Sequence, residues 1–212
     1  MAKVEILGMA LSNYVWSTRI GCAEKGVPHE LVNARPHSPE INAIHPLGKM
    51  PAMKHGDVTL CESKAILSYI DKAFPGPALA PSDAAGAAKV EQWSSLINTA
   101  VDPAIMRSYA LAYIFPGTPD GKPDRARVDA AVPNVEKQLD ILETAVAPTG
   151  FLVGNSFTIA DMLLVPILAV ASRLPESSAA LAKRPALQKY LQTHIARDSV
   201  KNTAPPPPPP KD

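Results

Sequence analysis

Cysteine is nearly missing from this chain: there are two in 212 residues, Cys22 and Cys61. Two thiols cannot build a disulfide framework, and each stands in an apolar pattern where a reduced, buried thiol is the default. Cys61 also lies beside Glu62, where it could line a site. Neither sign of charge is in excess, with 21 Lys and Arg against 20 Asp and Glu and no stretch concentrating either. That balance lacks the electrostatic footprint of a nucleic-acid or anionic-membrane binder and leaves a small molecule or another protein chain as partner. No apolar run approaches the ~18 residues that a membrane span needs, and "MAKVEILGMALSNYVWS" carries no long apolar run with a small-residue cleavage site. A soluble cytoplasmic protein is expected. The histidines at 29, 37, 45, 55 and 194 match no HExxH or CxxC ligand spacing, so no metal is expected.

What is present changes character near position 75. "KVEILG" at 3–8 and "HELVNA" at 29–34 read as short strands, and between them Val15, Ile20, Cys22 and Ala23 fit a helix ended by Gly26 and Pro28. "PAMKHGDVTLC" reads as a hairpin turning at His55, Gly56 and Asp57, and Ile66, Leu67, Ile70 and Phe74 mark the apolar face of the next helix. A βαβ unit followed by ββα occupies residues 1–76. The Pro/Gly-rich stretch at 77–83 reads as a linker, and from 84 to 198 Ala- and Leu-rich helical spacing replaces every strand signal. The fold class is therefore α+β, a small mixed domain followed by an all-helical one.

In the helical half Val128, Val132, Val135, Leu139, Leu142 and Val146 recur at steps of three and four and belong to one core face. Pro103 and Pro133 interrupt the two longest helical patterns, and bends are expected at both. "NSFTIADML" carries a capping box, Thr158 with Asp161, and a staple, Phe157 with Met162, which gives Asp161 a structural role. Residues 199–212, ending in "APPPPPPKD", are expected to form an extended, disordered proline-rich tail outside the chemistry.

Three segments together carry a family resemblance. "HPLGKMPAM" followed by "LCESKAIL" at 45–67, an N-terminal strand and helix with a serine between them, and "FTIADMLLVPIL" in a helical second half resemble the cytosolic glutathione transferases, in the serine-type or bacterial branches. The likeness runs to about residue 198. It implies a thioredoxin-like first domain that binds glutathione, a helical domain that supplies most of the electrophile pocket, and a homodimer. No metal is implied, and glutathione is a co-substrate.

Glutathione carries an α-carboxylate and an ammonium on its γ-glutamyl unit, so its site needs an anion receptor beside an anion. Ser63, with its backbone N–H and hydroxyl at a helix start, suits the carboxylate, and Glu62 suits the ammonium. A plain N-cap role for Ser63 is the alternative. By resemblance Pro51 follows a cis peptide bond and the Met50 backbone pairs with the cysteinyl unit like an added strand. Lys49 is placed to neutralise a glutathione carboxylate, and His37 lies in the loop that the family uses for the glycine carboxylate. Where many relatives have Asn, this chain has His45.

A free thiol with a pKa of ~8.5 is only a few per cent ionised at neutral pH, so a catalyst must stabilise the thiolate. Ser12, at the turn from the first strand into the first helix, is the candidate donor; Tyr14 competes with it, and a capping-only Ser12 is the third possibility. "SNYV" stands where dithiol chemistry would need CxxC, which excludes disulfide exchange by that route and disfavours a single-cysteine mechanism, because Ser12 holds the cysteine's place. The electrophile pocket is expected from Met9, Ala10 and Tyr14 with Arg107, Tyr109 and Tyr113 of "IMRSYALAYIF", the tyrosines serving equally well in core or dimer packing. The function expected is conjugation of glutathione to small hydrophobic electrophiles. A glutathione-dependent isomerase or dehalogenase, or a non-catalytic scaffold on the same fold, is the alternative.

Overall fold

Residues 2–206 are described in this computed structural model. In chain order they form β1 (Val4–Gly8), α1 (Asn13–Lys25), β2 (His29–Asn33), α2 (Pro39–Asn42), β3 (Ala52–His55), β4 (Val58–Cys61) and α3 (Ser63–Ala73). There follow α4 (Ala84–Leu96), two π-helical segments (Ile97–Val101 and Pro103–Ala110), α5 (Leu111–Ile114), α6 (Arg125–Val146), α7 (Ile159–Ala171), α8 (Pro175–Ala182), α9 (Pro185–Ile195) and α10 (Asp198–Lys201). Two compact units result: Met1–Pro81 completed by Ala196–Asp212, and Ser82–Ile195.

The first unit holds a sheet in the order β2-β1-β3-β4. β1 and β2 are parallel, which needs a crossover connection such as α1, with Val4 beside His29 and Gly8 beside Asn33. β3 runs antiparallel to β1, with Leu7 beside Ala52, and β4 antiparallel to β3, with Ala52 beside Cys61. This is the thioredoxin-like plan. Leu7 and Ala52 cluster with Ala34 and with Ile41 of α2 on one face. Alternation along the strands sends the fully buried Ile6 and Met53 to the other face. α1 and α3 pack against each other and bring Val15, Ile20, Ile66, Leu67 and Ile70 into the core. Helix α1 ends where Gly26 adopts φ 71°, a left-handed cap that costs glycine little. Helix α2 was not foreseen: its four residues, capped by Ser38, are too few to show a period.

An extended tail from residue 199 is corrected by the structure. Helix α10 lies on α1. Trp16 Nε1 donates to Thr203 Oγ1 (3.1 Å) and to the Val200 carbonyl (3.3 Å), and Arg19 donates to the Thr203 carbonyl at 2.8 Å. Arg197 forms a fork of 2.8 and 2.9 Å on the Glu24 carboxylate. Polar partners far away in the chain hold this segment, and no local pattern reports them. The proline run from residue 207 onward lies outside the described residues.

In the second unit five of the six stripe residues of α6 are buried and Val132 is half-buried. The irregularity expected at Pro103 takes the form of π turns: the Asp102 N–H reaches back five residues to the Ile97 carbonyl, and the Leu111 N–H to that of Met106. Around Pro133 helix α6 continues from Arg125 to Val146, with the proline ring exposed. Asp161 is wholly buried and accepts four hydrogen bonds: from the N–H (2.9 Å) and hydroxyl (3.0 Å) of Thr158, the N–H of Leu152 (3.0 Å) and the hydroxyl of Tyr190 (2.9 Å). Burial pushes its carboxyl up from the ordinary value, against the pull of these donors.

Candidate functional site

Strand register brings three loops to one end of the sheet. Leu7 is beside Ala52 and Ala52 beside Cys61, so the exit of β1, the entry to β3 and the exit of β4 lie side by side. Those loops carry Ser12, Met50 with Pro51, and Glu62 with Ser63.

Gly8 closes β1 at φ 153°, and a Cβ there would stand 2.4 Å from Val15 Cγ2 and 3.3 Å from Met50 Cβ. Only glycine lets the strand end approach both helix α1 and the Met50 loop. The contact continues one residue on, where the Met9 N–H points at the Met50 sulfur at 3.2 Å. The Met50–Pro51 bond is cis. Ser12 is the N-cap of α1: its Oγ accepts from the Val15 N–H at a long 3.4 Å, and its own N–H donates to the Met9 carbonyl at 3.0 Å. Accepting through a lone pair leaves the hydroxyl proton free to donate, so capping and thiolate stabilisation are compatible roles. The first turn of α1 has no acid to offset the positive end of its dipole. Tyr14 is half-buried in that turn, and Ser17 is buried with its hydroxyl donated to the Asn13 carbonyl at 2.9 Å.

Glu62, not Ser63, occupies the N-cap position of α3, with φ 69° and no side-chain capping bond. Ser63 is the first helical residue and is buried, so the plain N-cap role for it does not apply. Beside them His45, 3% exposed, places Nε2 at 3.5 Å from Glu62 Oε1. In the preceding loop His37 adopts φ 63° and donates its N–H to the Gly48 carbonyl at 2.8 Å, and its imidazole lies so close over Gly48 that a Cβ there would meet Nδ1 at 2.2 Å. His37 and Lys49 are exposed, and Met9, Ala10 and Met50 are half-buried. Burial pushes the Cys22 thiol up to about 12, which makes it inert; Cys61 is half-buried at the end of β4.

The helical-domain candidates Arg107, Tyr109 and Tyr113 each have protein partners. Tyr109 is fully buried, its hydroxyl donating to Glu176 at 2.8 Å and accepting from the Ser177 N–H at 3.1 Å. Tyr113 donates to the same Glu176 oxygen at 2.5 Å and accepts from Arg125 at 3.0 Å. Both phenolic hydroxyls donate to one carboxylate, an arrangement that belongs with the packing role open to the two tyrosines. Arg107 is exposed and pairs with the buried Asp102 at 2.8 Å. Glu176 and Arg125 escaped the sequence reading because 63 residues separate Glu176 from Tyr113. The only local sign is an acid just after Pro175 in a helix's first turn.

Burial on its own would raise the Glu176 carboxyl, yet donors from Tyr113, Arg125 and Tyr109 outweigh it and hold the group down at about 2, while burial and the bond to Glu176 push Tyr113 up to about 12. A depressed carboxyl contributes stability that is present above its ordinary value of 4.5 and disappears as pH falls toward 2. Glu176→Gln is therefore expected to flatten the fall of the urea midpoint across that acid window and to leave its shape near neutrality unchanged. An unaltered acid slope would remove Glu176 as its source.

Among the described residues no group of three or more His, Cys, Asp or Glu could hold a metal ion, and no helix is long and apolar enough to cross a membrane.

The chain thus pairs a thioredoxin-like domain, with a serine-capped helix, a cis-proline loop and a Glu-Ser helix start at one end of its sheet, with an all-helical domain that follows it in the sequence. Residues 6–78 match the family described as glutathione S-transferase, N-terminal domain, and residues 96–198 the corresponding C-terminal domain. Glutathione S-transferase 3 of Zea mays is 31% identical over 210 residues, 96% of this chain and 94% of the relative. Among solved structures, glutathione S-transferase III in apo form superimposes with a TM-score of 0.87 at 30% identity, covering 99% of this chain and 100% of that one. A glutathione S-transferase from Methylobacillus flagellatus KT, with GSH bound, gives 0.78 at 25% identity, covering 96% and 100%. The chain belongs to the cytosolic glutathione transferase family.

Proposed function

We propose that the protein conjugates the thiolate of glutathione to small hydrophobic electrophiles, acting in the cytoplasm as a homodimer. The observation that carries this reading is the meeting of Ser12, Met50–Pro51 and Glu62–Ser63 at one end of the sheet, and the GSH held by the Methylobacillus relative supports the choice of co-substrate. The buried Ser63, at the start of an eleven-residue helix, receives the α-carboxylate of the γ-glutamyl unit through its N–H and hydroxyl. Glu62 receives the ammonium, and the Met50 backbone pairs with the cysteinyl unit. The exposed Lys49 and His37 serve the glycine end.

Ser12 Oγ–H donates to the sulfur, and the positive end of α1 favours its negative charge. The thiol proton passes to water. With an aryl halide the sulfur lone pair then forms the C–S bond, and the halide departs with the electrons of the bond it leaves. Met9, Ala10 and Tyr14 line the electrophile side of this unit.

Ser63→Ala is expected to weaken glutathione binding by about 1–3 kcal/mol, the cost of leaving a charged hydrogen-bond partner unsatisfied. Isothermal calorimetry measures it. Absence of binding heat from the native protein would remove the enzymatic reading, and native affinity in the variant would remove Ser63 from the carboxylate site.

A further inference from the structure

His45 is a buried histidine that the proposed chemistry leaves unused. Its backbone is held on both sides, the N–H donating to the Ile41 carbonyl (2.8 Å) and the carbonyl accepting from the Gly48 N–H (2.9 Å). Its Nδ1 accepts from the Leu47 N–H at 3.1 Å. A neutral imidazole that accepts at Nδ1 must carry its proton on Nε2. That nitrogen is the one 3.5 Å from Glu62 Oε1, on a ring with 4% of its surface exposed, while the Glu62 side chain is 68% exposed.

An exposed glutamate at a helix end samples many rotamers, and fixing one costs side-chain entropy at the moment a ligand binds. A rigid N–H beside the carboxylate lowers that cost by favouring one placement before binding. An asparagine here could accept from the N–H two residues on in the same kind of turn, but its side chain is shorter than an imidazole. Histidine at this position keeps the turn and extends a donor as far as Glu62.

We propose that His45 is a positioning residue that holds the Glu62 carboxylate, through Nε2–H, where it receives the ammonium of the glutathione γ-glutamyl unit. The inference rests on the glutathione reading above. His45→Asn preserves the turn acceptor and removes the reach, so it isolates the effect. In calorimetry it is expected to raise the Kd for glutathione about 3- to 10-fold, the worth of one hydrogen bond. The same change on a Glu62→Ala background is expected to add less than about 2-fold, because its target is gone. A glutathione analogue without the α-amino group should bind native and His45→Asn proteins alike.

A loss of equal size with and without Glu62, or no loss in the single variant, overturns the assignment. Nitrogen NMR of the native protein checks it without any variant: the neutral ring should carry its proton on Nε2 and its signals should shift on adding glutathione. A proton on Nδ1 sinks the proposal. Native protein that gives no heat with glutathione fails the reading beneath it and this inference together, whereas binding without coupling fails this inference alone.

Discussion

Ser12→Ala is expected to leave glutathione affinity nearly unchanged, to raise the apparent pKa of the bound thiol by about one to two units, and to lower turnover with an aryl halide roughly 10- to 100-fold at neutral pH. The loss should shrink as pH rises, because above its raised pKa the bound thiol is ionised even without the serine donor. Stopped-flow ultraviolet titration of the bound thiolate and the pH–rate profile measure the two effects separately. The long 3.4 Å capping bond from the Val15 N–H is the reason to expect little loss of fold with the hydroxyl, since the helix gives up a weak contact. If Tyr14 were the donor, Tyr14→Phe would move the profile instead. A Ser12→Ala protein with native turnover and native profile would reject the assignment.

Asp161→Ala is expected to destabilise the protein by about 3–5 kcal/mol, the range for breaking a buried charged constellation. Alanine would strand two backbone N–H groups and two hydroxyls that now donate to one carboxylate in a fully buried site. Two of the donors, Leu152 and Tyr190, lie 9 and 29 residues from Asp161. The carboxylate thus ties the turn before α7 and helix α9 to the same point. Tyr190→Phe, which removes a single donor and strands none, should cost only about 1 kcal/mol. Urea unfolding of both variants decides the matter, and an alanine variant within about 1 kcal/mol of native would show that water replaces the carboxylate.

The parts legible in the sequence were those that depend on neighbours in the chain. The period of two in "KVEILG", the period near 3.6 in α6 and the Thr158–Asp161 pair all express local rules, and strands, stripe and acid-to-backbone bond appear where those rules put them. The Met50–Pro51 segment and the Glu62–Ser63 helix start were legible only as a combination at a set spacing. What stayed hidden depends on partners brought together by folding. Tyr109 and Tyr113 stayed open between substrate contact and packing because nothing near them names Glu176, and α10 read as tail because its partners on α1 are more than 170 residues away. His45 was visible as an exception at its position, but its proximity to Glu62 exists only once β4 has paired with β3.

The return of α10 to α1 has a consequence for how the protein is made. Chains that fold as they are synthesised complete their domains from the N-terminus onward. Here the sheet unit is discontinuous, with Ala196 onward supplied after the whole of Ser82–Ile195. Trp16, 4% exposed in the finished protein, directs its indole N–H to Val200 and Thr203. While the ribosome translates the intervening helices, α1 therefore presents an unfinished edge at Trp16 and Arg19, whose hydrogen bonds to residues 200 and 203 are not yet made. The first domain to leave the ribosome is the last to be sealed.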